Sequence, residues 1–536
     1  MKYNFKTAIN ISAISFIRWM RSSRFLVFPV LLIVIFYSVA QPLRQAAIDT
    51  GSKISFLEPF IALSNSSLLL LIIPFAFLGI MADFPPGSED EYLIQLRCDK
   101  KTWICGQAFF AFEAVFIYIT ILIVSTIFMV TGYCEYKSDF STATRFYSNI
   151  FPERRYGLVK QLIPGNLYNQ LSMKQSFFLT TLFLFAYLFG ITMLIMFLYI
   201  IKNRFTGVLF SILIIIIGLI TSSLKSSFQW IFPMAHTIIW LHFREYYSQQ
   251  IFPIWASALY LTITSLGLLV LCVILAKRLG KNNYSDDDGI KIALFSNILF
   301  SHKKSKKENV MVNNADSPIE KNSKKGIILQ NVELILDNKK IIKNVSLTME
   351  YGKIYGLVGN NGSGKTMLMK LITGIVQSTD GIILVNGRRI GKDCDYIEDA
   401  GVIIENPVFL PFFSGIKNLM LLAGLNKKVQ KADVEEAMAC CGLDPKLKIP
   451  VRKYSLGMRQ RLGICQAIME KQSILILDEP MNGLDKSGIN DIRNLLLRQK
   501  NEGRLILLAS HNKEDIELLC DTVFEVEAGS VREIPT

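Results

Sequence analysis

Charge is scarce in this chain. Aspartate, glutamate, lysine and arginine supply 19 % of its 536 residues and apolar residues 51 %, a greasy balance for a soluble protein. Cysteine pairing motifs are missing too. The nine cysteines include the adjacent Cys440 and Cys441 but no CxxC spacing, so neither a zinc ribbon nor a dithiol redox centre is expected. No internal repeat is evident. No basic stripe with interleaved aromatics accompanies the formal net charge of +14, which argues against a nucleic-acid partner. Lysine and arginine gather instead at the ends of apolar runs and in one connecting stretch, the pattern of a chain that meets membrane lipid. The first residues lack the layout of a signal peptide.

What is present divides the sequence sharply. In residues 1–24, Phe5, Ile9, Ala13, Phe16, Ile17 and Met20 share one helical face, flanked by Lys6, Arg18, Arg21 and Arg24. That suits a helix lying in a membrane interface; an irregular tail is the plain alternative. Residues 25–280 hold six apolar stretches, at 25–41, 60–82, 104–131, 177–201, 205–224 and 252–276. Each approaches or exceeds the roughly 20 residues that a bilayer-spanning helix needs, and helix is the only sensible form in lipid. Arg18, Arg21, Arg24, Arg97, Lys100, Lys101, Lys202, Arg204, Lys277, Arg278 and Lys281 fall on one side of six crossings, as the positive-inside rule asks. The loop 132–176 is the exception: it carries Lys137, Arg145, Arg154, Arg155, Lys160 and Lys174 yet falls outside, with Cys134, so no disulfide within the chain is expected. Glu113 stands alone in the third stretch, either as a functional ionisable group or as a side chain reaching the interface or a partner helix. Residues 281–325 read as a charged linker.

The last 211 residues, 326–536, carry chemistry. Gly359-Asn360-Asn361-Gly362-Ser363-Gly364-Lys365-Thr366 fits G-x-x-x-x-G-K-[ST] between an expected strand and an expected helix. In that setting backbone N–H groups surround phosphates, Lys365 reaches the terminal ones and Thr366 holds magnesium. Ile474–Leu477 is a buried strand that ends in two acids. Asp478 is placed to hold magnesium and Glu479 to polarise an attacking water. His511 follows a second apolar strand, Leu505–Ala509. Tyr454-Ser455-Leu456-Gly457-Met458 opens a further helix and reads as a second phosphate grip.

Together these segments resemble the ATP-binding cassette family over 326–536. The resemblance makes 359–366 the Walker A loop, 474–479 Walker B, 454–458 the signature, Asp485 the end of the D-loop and His511 the switch histidine. It implies that Ser455, Leu456 and Gly457 grip the γ-phosphate of a nucleotide held by another cassette, so two chains would complete two sites. Three departures stand out. Leu336 replaces the usual adenine-stacking aromatic, Glu405 replaces the Q-loop glutamine as a magnesium ligand, and the signature is not L-S-G-G-Q. The glutamate loop is similar to that of ATPases of lantibiotic and bacteriocin immunity exporters and phenol-soluble-modulin exporters. The membrane half resembles ABC-2 type exporters, whose loop 83–103 would dock beside Glu405.

The expected fold is an all-α polytopic domain of six spans followed by an α/β P-loop NTPase with a RecA-like core and a helical subdomain. The expected protein is a homodimeric half-transporter in a bacterial plasma membrane, with both termini cytoplasmic. It would use ATP and Mg2+ to export amphipathic peptides or other membrane-partitioned antimicrobials. Export of lipid, polysaccharide or small drug, and a membrane-tethered regulatory ATPase without cargo, are the alternatives.

Overall fold

The computed structural model describes residues 4–66, 69–86, 88–137, 139–150, 162–244, 249–279, 326–336, 339–405, 408–426 and 429–534. The linker 281–325 lies outside the described residues, as do Arg154, Arg155 and Lys160 of the basic loop. Two compact units emerge, Met1–Asn282 with Met420–Lys428, and Asn283–Leu419 with Val429–Thr536.

The first unit is helical. Among the described residues, five helical stretches are long and apolar enough to cross a membrane: Ser23–Thr50, Lys100–Met129, Met173–Ile201, Arg204–Ser223 and Ile254–Arg278. Polar caps set several starts. Asn203 Oδ1 accepts from Thr206 N at 2.8 Å, and Ser172 forms a capping box with Gln175, satisfying N–H groups that have no intrahelical partner. Small residues set close packing. A Cβ on Gly207 would stand 2.8 Å from the Ile195 carbonyl, so only glycine lets these two helices meet backbone to backbone.

The stretch expected at 60–82 is not one straight helix. Glu58–Asn65 and Leu69–Ile80 meet at 88°. Asn65 supplies the physical reason. Its backbone carbonyl accepts from the Trp240 indole at 2.7 Å. Its side chain accepts from Ile239 N at 3.0 Å and donates to Ile61 O at 2.9 Å. These bonds satisfy the helix end away from the helix axis, where a continuing helix would have used its own amides.

The N-terminal helix Phe5–Met20 forms as expected, capped by Asn4. Its buried face is Thr7, Ala8, Ile11, Ser12, Ile14, Ser15 and Trp19, packed on Lys100–Met129, while Phe5, Ile9 and Met20 are exposed. This face of apolar side chains and small hydroxyls therefore serves protein contacts. Ser12 donates to Glu113 at 2.8 Å, which pairs that lone acid with this helix. Glu91 of the helix Ser88–Gln95 is fully buried. It accepts from the Trp103 indole at 2.6 Å, from Gln107 at 3.1 Å and from Arg18 at 3.3 Å. One carboxylate thus binds three helices together.

The second unit is α/β. Its strands are β1 (Ile327–Leu336), β2 (Lys339–Met349), β3 (Ile354–Val358), β4 (Asp380–Val385), β5 (Arg388–Arg389), β6 (Ala400–Ile403), β7 (Ile474–Asp478), β8 (Leu505–Ala509), β9 (Thr522–Glu527) and β10 (Ser530–Ile534). One sheet has the order β10-β9-β3-β8-β7-β6 and is parallel except at β10. The other, β2-β1-β4-β5, is antiparallel. Both β7 and β8 are buried along their whole length. A parallel strand covered on both faces needs the continuous apolar run that each has. Helices Gly415–Asn426, Lys431–Cys440 and Leu456–Ile468 lie between β6 and β7 in the chain. The carboxyl ends of β3, β6, β7 and β8 bring the chemistry together, as open α/β sheets do.

Candidate nucleotide site

The turn out of β3 can only be built from glycine at two points. Gly359 has φ 146°, and a Cβ there would stand 2.2 Å from the Val526 carbonyl. Gly364, at φ 114°, starts the helix Lys365–Thr373. The Lys365 ammonium donates to the carbonyls of Gly359 at 2.7 Å and Asn360 at 3.2 Å, so the loop curls around its own cation. The helix N-terminus adds free N–H groups and partial positive charge.

A cleft of about 440 Å³ opens there. Asn361, Gly362, Ser363, Gly364, Lys365, Thr366, Glu405, Leu456, Asp478, Glu479 and His511 all line it. Gly359 and Asn360 do not, and act through the carbonyls that hold Lys365. Ser455, Gly457 and Asp485 are also absent from this lining. Ser455 is exposed and its hydroxyl accepts from Met458 N at 3.1 Å, capping its own helix. Asp485 caps Lys486–Asn501, accepting from Ser487 Oγ at 2.8 Å and Gly488 N at 3.1 Å; these bonds hold its carboxyl below the usual range. Leu336, expected under the adenine, does not line the cleft, whereas Ile341 of β2 does.

Thr366 Oγ1 donates to Asp478 Oδ2 at 2.8 Å. Burial pushes the Asp478 carboxyl up, against the pull of the Thr366 hydroxyl and Lys365. Burial also raises Glu479, and His511 opposes it. Glu479 sits at φ 49°, a left-handed conformation strained for a non-glycine residue. Its Oε1 is buried without a hydrogen-bond partner among the described residues, and His511 Nε2 stands 3.4 Å away. The two side chains face each other at the carboxyl ends of β7 and β8. Thr366, Asp478 and Glu405 offer hard oxygens, and a buried carboxylate of raised pKa gains from a cation, so the set fits Mg2+. Among the described residues no cluster of three His, Cys, Asp or Glu side chains could hold a metal, so such a cation would share its coordination with phosphate and water.

Lys370 and Gln460 were not marked by sequence reasoning. The Lys370 ammonium, 6 % exposed, donates to Glu405 Oε1 at 2.6 Å. Gln460 Nε2 donates to the Glu479 carbonyl at 3.0 Å and steadies its unusual backbone. A lysine buried one and a half turns after Lys365 was the available signal for the first; the second depends on tertiary packing alone.

A phosphate loop leaving one parallel strand, opposite paired acids leaving another, defines a P-loop nucleotide hydrolase. Comparisons narrow the class. The profile described as ABC transporter matches residues 342–482. The uncharacterised ABC transporter ATP-binding protein YybJ of Bacillus subtilis is 41 % identical over 203 residues, 37 % of this chain and 93 % of that protein. The bacitracin transport ATP-binding protein BcrA of Enterococcus faecalis is 39 % identical over 195 residues, 36 % of this chain and 63 % of that protein. The lantibiotic transport ATP-binding protein SrtF of Streptococcus pyogenes is 34 % identical over 203 residues, 38 % of this chain and 87 % of that protein. A solved structure described as the ATP-binding subunit of an ABC transporter aligns with a TM-score of 0.36 and 24 % identity, covering 39 % of this chain and 89 % of that one. The chain belongs to the ABC transporter family, and its cassette is an ATPase coupled to transport.

Proposed function

We propose that this chain is a half-transporter: an interfacial helix at 1–24, a membrane domain at 25–280, a linker at 281–325 and a cassette at 326–536. It works as a homodimer that exports amphipathic peptides or other membrane-partitioned antimicrobials. The observation that carries the dimer is the position of Ser455. It is exposed and outside the cleft built around its own Lys365, so its phosphate chemistry is available to a second chain. The names of BcrA and SrtF, bacitracin and lantibiotic transport proteins, support the cargo class.

Six crossings agree with contacts inside the first unit. Asp83 meets Arg24 at 2.6 Å and Arg204 at 3.8 Å, and Lys100 donates to Leu279 O at 2.6 Å. These residues were all expected at the cytoplasmic end. Ile54 pairs with Cys134, and Glu58 accepts from Ser141 Oγ at 3.0 Å, at the other end. These contacts support counting the bent pair as one crossing. Both termini are cytoplasmic, in a bacterial plasma membrane.

In the working cycle, Lys365 and the loop amides hold ATP. Thr366, Asp478 and Glu405 would hold Mg2+, which when bound would neutralise phosphate charge. Glu479 takes the proton of the attacking water, and His511 steadies that carboxylate. ATP closes the two cassettes; a near-complete switch needs about 5.5 kcal/mol of preference for the closed state. The buried Glu91 ties the helix Ser88–Gln95 to two other helices of the membrane domain, which supports a role for that segment in passing the motion on.

Reconstitution tests this reading. The purified protein in sealed vesicles is screened for ATPase stimulation and flux with amphipathic peptides, lipids and drugs. Peptide-stimulated hydrolysis with peptide flux supports it. Flux of lipid, polysaccharide precursor or drug alone reassigns the cargo, and stimulated hydrolysis without any flux favours a regulatory ATPase.

A further inference from the structure

The segment joining Arg204–Ser223 to Ile254–Ile274 holds two of the chain's four histidines. His236 and His242 are both fully buried, as is Ser257 of the following helix. The Ser257 hydroxyl lies between the two rings, 2.7 Å from His236 Nδ1 and 2.8 Å from His242 Nε2. Each ring's other nitrogen faces backbone carbonyls. His236 Nε2 is 2.9 Å from Trp230 O, and His242 Nδ1 is 3.2 Å from Ile238 O and 3.1 Å from Ile239 O.

Carbonyl oxygens only accept, so both outer nitrogens must carry hydrogen. Each inner nitrogen of a neutral ring is then an acceptor, and both point at one hydroxyl that owns one hydrogen. Two neutral imidazoles and a serine supply three hydrogens for four polar junctions. No choice of tautomers repairs the shortage; it only moves the facing lone pairs to a carbonyl. One added proton completes the chain: one ring becomes imidazolium and donates to Ser257 Oγ, and Ser257 donates to the other ring.

The surroundings suit a cation. Tyr260 stacks on His236 at 4.1 Å, and Trp230 lies 5.5 Å from His236 and 5.0 Å from His242, presenting aromatic rings. Phe252 and Phe183 close the remaining sides. The titratable neighbour is Tyr260, whose hydroxyl is bound to Ile231 O at 2.6 Å. The charge that bears on His242 is that of His236. Arg244 is exposed, Glu245 lies outside the described residues, and Lys225 sits over Trp240.

We propose that His236, Ser257 and His242 form a binding site for a single proton, which braces residues 230–242 against the helix Ile254–Ile274 when bound. Burial works the other way, pushing each imidazole down to about 4. The missing hydrogen opposes it for the first proton only, because a second would recreate the clash with like charge added. The pair thus takes up one proton and refuses two.

Histidine-labelled protein in lipid, read by 15N magic-angle-spinning NMR between pH 8 and 4, tests the site. His236→Gln and His242→Gln assign the signals. The expected result is one imidazolium and one neutral ring over a broad acid range, with first-proton uptake moved acidward by at least about tenfold in proton concentration in Ser257→Ala. Ser257→Thr, which keeps the hydroxyl, retains the wild-type titration. Two rings that both stay neutral down to about pH 4 in the wild type, or a Ser257→Ala titration matching it, overturns the proposal. None of these readouts depends on what the protein transports.

Discussion

Replacing Lys370 by methionine should weaken nucleotide binding although the side chain does not line the cleft. Lys370 and Glu405 meet at 2.6 Å, and both charges act on the Asp478 carboxyl, Glu405 raising its pKa and Lys370 lowering it. Together the pair adds almost no net charge. Lys370→Met exposes the phosphates to a bare glutamate. A cleft of 440 Å³ is roughly 8 Å across, and at that range two unit charges interact by about 2 kcal/mol at an effective dielectric constant near 20. Solvent on the half-exposed Glu405 reduces this to ~1–2 kcal/mol. ATP affinity should therefore fall by about five- to thirtyfold. Glu405→Gln alone should bind ATP at least as well as wild type, since it leaves the cation. The double variant should return to within about threefold of wild type, and the cycle isolates the pair. The assay is equilibrium binding of a fluorescent ATP analogue without magnesium, then with it. Wild-type affinity in Lys370→Met, or no recovery in the double variant, would refute the compensation.

Glu479→Gln should keep ATP binding, lose hydrolysis by a hundredfold or more and accumulate as a closed dimer on gel filtration. In the wild type, burial raises the Glu479 carboxyl, so the working base form is lost as pH falls through that raised value; the acid limb of turnover should lie above the ordinary glutamate range and vanish in the variant. Ser455→Arg should abolish turnover while leaving analogue binding within about twofold, because Ser455 lies outside its own cleft; equal loss of both would place it in cis. Glu91→Ala removes a buried acceptor from Trp103, Gln107 and Arg18 and should cost about 3–5 kcal/mol, read as a lowered midpoint of thermal unfolding in detergent.

The sequence determined the parts that depend on local pattern. Glycines at 359 and 364 announce positive φ, unbroken apolar runs announce β7 and β8, and acids placed directly after such a run fall at a strand end whatever surrounds them. Apolar length likewise marked the helices long enough to cross a membrane, since the thickness of a bilayer sets one scale for such stretches. Only the tertiary structure decided what depends on groups far apart in the chain. It bent the second apolar stretch at Asn65, by giving that residue partners at Ile239 and Trp240. It placed Ile341 instead of Leu336 in the cleft and neutralised Glu405 with Lys370. It also set His236 and His242 around one serine of the following helix. Hydrogen bonds and charge pairs act over a few ångströms of space, and no spacing along a sequence records which residues folding will bring that close.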